Sequence, residues 1–182
     1  MKFKLNNVRP AFPAFFKPKA VNGEGEPRFN GLFIMPPDHP QLDELRKAMK
    51  QVAKEKWGGK WETIYSQMEK KLLICLHDGT EKAEYEGFPG NFFLSAANKA
   101  RPLVVDRDRT LLTQADGRPY AGCYVNIVVD IWAQDNNFGR RINASLKAVQ
   151  FLRDGDAFTS SPPATVEDLD DISEGADADS LI

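Results

Sequence analysis

The sequence predicts a mainly β domain: a small β-barrel with helices inserted between its strands, followed by a disordered acidic C-terminal tail. Three observations carry this. Residues 123–151 hold two alternating apolar runs around a turn, residues 42–52 carry one strongly helical pattern, and no basic residue follows Arg153. The chain has 182 residues, of which 42% are hydrophobic and 27% charged. That is the size and composition of one globular domain with a real core.

The elements follow in order. Lys2–Arg9 alternates weakly, as a half-buried strand does. It lacks the apolar stretch of a secretory leader, and no run in the chain is long enough for a membrane helix, so no membrane association is expected. Phe12, Phe15 and Phe16 are interrupted by Pro10, Pro13 and Pro18, which points to an edge strand or an extended arm. Gly23-Glu24-Gly25-Glu26-Pro27 has loop composition, and Phe29–Met35 is an apolar strand closed by Pro36-Pro37. Asp38 or His39 can cap the next helix, and Pro40 suits its first turn. Leu42, Leu45, Met49 and Val52 recur at helical spacing until Gly58-Gly59 ends the run. Residues 60–70 read as a second, short helix with Trp61, Ile64, Tyr65 and Met68 on one side. Strands are expected at 71–76, 91–97 and about 102–105, then a long loop around Asp116-Gly117.

The last two runs form a hairpin. Val125, Ile127, Val129, Ile131 and Ala133 alternate with Tyr124, Asn126, Val128, Asp130, Trp132 and Gln134. In the second run Ile142, Ala144, Leu146 and Ala148 alternate with Arg141, Asn143, Ser145 and Lys147. Asn136-Asn137-Phe138-Gly139 is a turn by chemistry. Pairing Asp135 with Arg140 sets Ile131 against Ala144, Val129 against Leu146 and Ile127 against Ala148, so both apolar sets share one face. A helix over 141–152 is the local alternative, since Ile142, Leu146 and Val149 also fit helical spacing. Five or six strands fit a closed Greek-key barrel of the OB type, in which a helix joins the third and fourth strands. The main helix here follows only two long strands, which implies insertions. An α+β sandwich is the alternative architecture.

Charge divides the chain. Residues 1–153 hold all 24 Lys and Arg against 17 acids, whereas nine acids and no base follow. A net positive body points to a polyanion partner, and the acidic segment to something that can cover the same surface. From Thr159 onward the composition is polar, acidic and free of aromatics, so residues 159–182 are expected to be disordered.

Two segments carry a family resemblance. One runs from Tyr124-Val125-Asn126-Ile127 through Ile131-Trp132 to Gly139-Arg140-Arg141-Ile142-Asn143-Ala144. The other is Leu146-Lys147-Ala148-Val149-Gln150-Phe151 with Asp154-Gly155-Asp156-Ala157-Phe158. With the acidic tail, they resemble the single-stranded DNA-binding proteins of tailed bacteriophages, the T7-like and Enc34-like family. The resemblance is specific over 121–158 and extends in organisation over 1–158. It implies an OB-fold single-stranded DNA-binding domain at 1–158 and a regulatory tail at 159–182. It further implies a protein that coats and protects single strands during phage DNA replication and recombination, in the cytoplasm of the infected bacterium. The tail would modulate DNA binding and recruit phage or host replication proteins. Several such tails end in an aromatic residue, whereas this chain ends in Leu181-Ile182.

Aromatic rings that stack on bases and cations that track phosphates are what non-specific single-strand binding needs. The outward hairpin face supplies Tyr124 and Trp132 as stacking candidates, Arg141 and Lys147 as phosphate partners and Asn143 as a polar contact. Phe12, Phe15, Lys17 and Lys19 form a second group. Lys99, Arg101, Arg107, Arg109 and Arg118 are loop cations that can line a groove. In the tail, Asp168, Asp170, Asp171, Asp177, Asp179, Leu181 and Ile182 are the candidate regulatory and docking residues.

Other chemistry finds no support. The sequence has no Gly-rich phosphate loop and no dinucleotide fingerprint. His39 and His77 lack partners at metal-ligand spacing, and Asp106 and Asp108 around Arg107 read as a loop ion pair. No metal, cofactor or enzymatic activity is expected. Cys75 and Cys123 lie in apolar runs, as buried thiols of a reducing compartment do. The rival functions are a strand-annealing protein, a phage structural or adaptor protein whose aromatics meet another protein, and a nuclease built on the Asp pair.

Overall fold

The computed structural model describes residues 1–21, 24–159 and 165–173. Its strands are β1 (Lys2–Val21), β2 (Glu24–Met35), β3 (Leu76–Asp78), β4 (Phe92–Asn98), β5 (Leu103–Val105), β6 (Tyr124–Asn136) and β7 (Gly139–Arg153). Helices α1 (Leu42–Trp57) and α2 (Trp61–Lys70) fall between β2 and β3. β4, β2, β1, β6 and β7 pair in that order, and a parallel contact of Ala97 with Ser145 joins β4 to β7. The Asn98 side-chain amide seals this seam by donating to the Leu146 carbonyl at 3.0 Å. The result is a closed five-stranded barrel, with β3 added to the edge of β4 and β5 added to β7.

The helices thus sit between the second and third barrel strands, as the early helical pattern implied, and not between the third and fourth. Gln41 is the α1 N-cap and makes no side-chain cap bond. His39, buried, takes that role from outside the helix: its Nδ1 accepts from the Gln41 N–H, leaving Nε2 to donate to the Asn6 carbonyl at 2.7 Å. Asp38 makes no such bond.

β1 is a long, bent strand rather than an edge arm. Its first half pairs with β6 and its second half with β2. Pro13 and Pro18 are tolerated because they fall inside register shifts, Pro13 between Ala11 and Ala14 and Pro18 between Ala14 and Lys19, where no ladder N–H is required. The strand expected at 71–76 begins only at Leu76; before it, Leu72 takes a positive φ of 58° and Ile74 makes a single bridge to Ile142.

The hairpin forms as alternation demands, with one correction. Asp135–Arg140, Ile131–Ala144 and Val129–Leu146 pair as expected. Beyond them a bulge shifts the register, so Ile127 faces Val149 and not Ala148. The bulge returns Val149 and Phe151 to the interior after Leu146, which is why the apolar spacing in this run imitates a helix. Gly139, with φ of 107°, supplies the left-handed residue that closes the turn.

Val125, Ile127, Val129 and Ile131 meet Leu5, Val8, Phe33, Leu94, Ile142 and Leu146 inside the barrel, and α1 and α2 add Leu45, Met49, Ile64 and Met68 to the same core. Each such side chain contributes roughly 1.5–3 kcal/mol on burial. Cys75 and Cys123 are buried and unpaired, and burial pushes their thiols up to about 12 and about 11.

After β7 the chain doubles back as a strap. Phe158 donates its N–H to the Ala121 carbonyl at 3.1 Å. The Arg9 guanidinium donates to the carbonyls of Gly122 and Asp156, both at 2.9 Å, and lies 4.3 Å from the Phe158 ring centroid. Gly122 has φ of 96°, and a Cβ there would collide with the Asp156 carbonyl.

Candidate nucleic-acid interface

Closing the barrel through β4 and β7 brings distant parts of the chain to one outer surface. A groove of about 860 Å3 runs over the outward faces of β4, β6 and β7 and reaches β2 and β3. Its floor comes from the hairpin. Trp132 faces Asn143 across the ladder and Gln134 faces Arg141, so all four point outward together. The Asn143 amide donates to Gln134 Oε1 at 2.9 Å. Trp132 Nε1 donates to Ser145 Oγ at 3.0 Å, which fixes the indole while 40% of the residue stays exposed. At the hairpin tip Phe138 is 89% exposed, and it also lines the groove.

The rim is basic. Arg28 from β2, Lys99 after β4 and Arg141 from β7 line it. Lys99 pairs with Glu26 at 3.0 Å in the open, a contact that salt and solvent weaken. Among the described residues Arg28 and Arg141 have no ion-pair partner. His77 forms part of the wall, stacked on Phe93 at 5.0 Å and 3.1 Å from Glu81. Burial pushes its pKa below the ordinary 6.5, Arg141 and Lys82 push the same way, and Glu81 opposes them. An aromatic floor with cations along the edges suits a polyanion whose repeating units carry flat rings.

The candidate residues separate. Trp132, Arg141 and Asn143 meet in this groove, joined by Lys99 from the loop cations. Lys147 is exposed at the bulge, outside the lining. Tyr124 stands near the other end of β6, with Arg153 3.9 Å and Arg9 5.1 Å from its ring centroid. Phe15 is only 2% exposed and stacks on Phe33 at 6.0 Å, so it fills the core and offers no stacking platform. Phe12 packs edge-on against Tyr85 at 5.0 Å in a satellite cluster. Lys17 and Lys19 are exposed on the second half of β1. Arg101 is exposed and lies 5.7 Å over the Phe29 ring. Arg107 is exposed in the loop after β5, away from the groove lining.

Asp106 forms a loop ion pair, though with Arg118 at 2.6 Å and not with Arg107, whereas Asp108 accepts from Thr110 and has no ion-pair partner among the described residues. No cluster that could hold a metal ion occurs among the described residues, nor a helix long and apolar enough to cross a membrane. In the tail Asp168, Asp170 and Asp171 are exposed. Asp177, Asp179, Leu181 and Ile182 lie outside the described residues. Arg28, Gln134, His77 and Phe138 were not singled out from the sequence as site residues. Phe138 left one signal, a large aromatic inside a polar turn.

The profile of the family described as "Enterobacter phage Enc34, ssDNA-binding protein" matches residues 1–181. A protein of Acyrthosiphon pisum secondary endosymbiont phage 1, named putative protein p50, is 49% identical over 176 residues, 95% of either chain. The single-stranded DNA-binding protein of bacteriophage Enc34, solved in complex with ssDNA, is 26% identical with a TM-score of 0.75, covering 87% of this chain and 89% of its own. The gp2.5 single-stranded DNA-binding protein of bacteriophage T7 shares the fold at 12% identity, with a TM-score of 0.57 over 90% of this chain and 98% of its own. Both of these solved structures are of single-stranded DNA-binding proteins. The chain belongs to the family of phage single-stranded DNA-binding proteins represented by that of Enterobacter phage Enc34.

Proposed function

We propose that this chain coats single-stranded DNA without sequence preference during phage replication and recombination, in the cytoplasm of the infected bacterium. The observation that carries the reading is the groove: Trp132 and Phe138 presented for stacking between Arg28, Lys99 and Arg141. Stacking on an exposed ring tolerates any base, and cations on the rim read only the backbone. The same rings stack poorly on a duplex, whose bases are already stacked.

The tail modulates this binding. Residues 154–182 carry nine acids and no base, opposite in sign to the body. The strap ends at Thr159, and the remaining 23 residues have a reach of up to about 75 Å. The groove lies about ten strand residues from Arg153, or about 33 Å, so the acids can compete with phosphates for its cations. The same acidic segment, once displaced by DNA, is free to recruit replication proteins. The body as division 1–158 binds, and 159–182 regulates.

Titration of a fluorescent oligothymidine at two salt concentrations, with full-length chain, a chain ending at Phe158 and an equal-length duplex control, tests this. The expected result is single-strand preference, weaker binding at higher salt and tighter binding without the tail. Equal affinity of both chains overturns the tail's role, and no binding at low salt overturns the DNA reading in favour of an adaptor protein.

A further inference from the structure

A second surface feature lies outside the groove. Leu103 on β5 and Leu111 in the following loop are 53% and 73% exposed. They border a largely apolar depression of about 390 Å3 over the outer faces of β1, β6 and β7, and Lys2, Lys4 and Arg109 stand around it. None of these three cations has an ion-pair partner among the described residues. The nearby acids are engaged elsewhere: Asp130 accepts from the Met1 ammonium and Asp108 from Thr110.

The described part of the tail has the opposite character. Val166, Leu169 and Ile172 are large, exposed apolar residues spaced three apart, and Glu167, Asp168, Asp170 and Asp171 fill the positions between them. Val166–Asp168 forms a 3-10 turn, extended by the Leu169 N–H donating to the Val166 carbonyl at 3.2 Å. Residues three apart eclipse in that conformation, so Val166 and Leu169 share a side. Apolar groups left in water on both surfaces, with opposite charges around them, make the two complementary.

We infer that the Leu103–Leu111 depression is a docking site for the Val166–Ile172 segment of a second copy of this chain. A patch that receives a different segment from its neighbour is a heterologous contact and propagates along a row of molecules. Three apolar side chains make a weak contact between free molecules. Neighbours held on one strand raise the effective concentration to the millimolar range, where a weak contact suffices. Resting on the coating function proposed above, the contact makes coating cooperative. The contact itself needs no DNA.

The test uses the full-length chain without DNA. Cys75 and Cys123 are buried, so a thiol-reactive spin label attached through Ser173→Cys is selective. Spin-labelled protein carrying the natural isotopes is mixed with unlabelled-thiol protein enriched in 15N. Selective broadening of the Leu103, Val105 and Leu111 amides, abolished by Leu111→Asp, is the expected result. Broadening at Asn143 and Ser145 instead, or none above background, overturns the proposal. So does broadening seen only when label and 15N share one chain, which places the segment on its own barrel. Leu111→Asp is also expected to flatten the titration of a long oligothymidine while leaving affinity for a one-protein oligomer within twofold. Loss of affinity for the short oligomer would be a failure of the groove, not of this contact.

Discussion

Replacing Trp132 by alanine separates stacking from charge. The indole sits on the outward face of β6, held by one hydrogen bond to Ser145 Oγ at 3.0 Å, and takes no part in the barrel core. Its removal should cost the fold only about 1 kcal/mol, the worth of that bond and some surface packing. Base stacking on an aromatic side chain is worth about 1–3 kcal/mol, so oligothymidine affinity should fall about 5- to 150-fold at constant salt. The dependence of log K on log salt should keep its slope, because no phosphate contact is lost. Fluorescence anisotropy at four salt concentrations measures both quantities, and urea unfolding confirms that the variant is folded. Affinity within twofold of the parent would refute stacking on Trp132. A shallower slope with the same loss would show that the residue acts through the cations beside it.

Three further outcomes follow from the same geometry. Arg141→Ala should weaken binding and make the salt slope shallower by about 0.7, one single-strand phosphate contact, whereas an unchanged slope would remove Arg141 from the phosphate path. Phe15→Ala should destabilise the barrel by about 3–5 kcal/mol in urea unfolding, with oligothymidine affinity of the folded protein unchanged; a stable variant that binds weakly would return Phe15 to the DNA surface. Burial holds the His77 pKa below 6.5, so the unfolded chain takes up its proton first as pH falls and stability drops below that value. His77→Phe should therefore lose less stability than the parent between pH 7 and pH 5, and an equal loss would exclude His77 as the source.

The hairpin was legible because its burial is local information. Every residue of Val125–Ile131 but the apolar, outward Val128 announces its side by parity, and the pairing partner is close in sequence. What parity cannot show is a bulge, since one inserted residue changes the side of everything after it. The three-residue step from Leu146 to Val149 was its trace, and it is identical to a helical step. Helix α1 was readable for the same local reason, from Leu42, Leu45, Met49 and Val52.

The groove was only half legible. Trp132, Arg141 and Asn143 come from one hairpin, but Arg28, and Lys99 out of five equivalent loop cations, reach it through the closure of β4 on β7, a pairing of residues nearly fifty apart in sequence. Nothing local distinguishes Phe15, which fills the core, from Phe12, which stands at its edge; the register shifts in β1 decide that. Tyr124 has the same outward parity as Trp132, yet eight residues along β6 put it about 26 Å away, under Arg153. Parity identifies a face, not a location on it.

The most direct test of the central claim is a map of the bound surface. Amide resonances of the full-length chain would be followed while oligothymidine is added. The groove predicts the largest shifts at Lys99, Trp132, Phe138, Arg141 and Asn143, with Phe12, Lys17 and Tyr124 little changed. Shifts concentrated around Tyr124 and Arg153, with Trp132 and Arg141 silent, would contradict it and move the DNA path to the opposite end of the barrel.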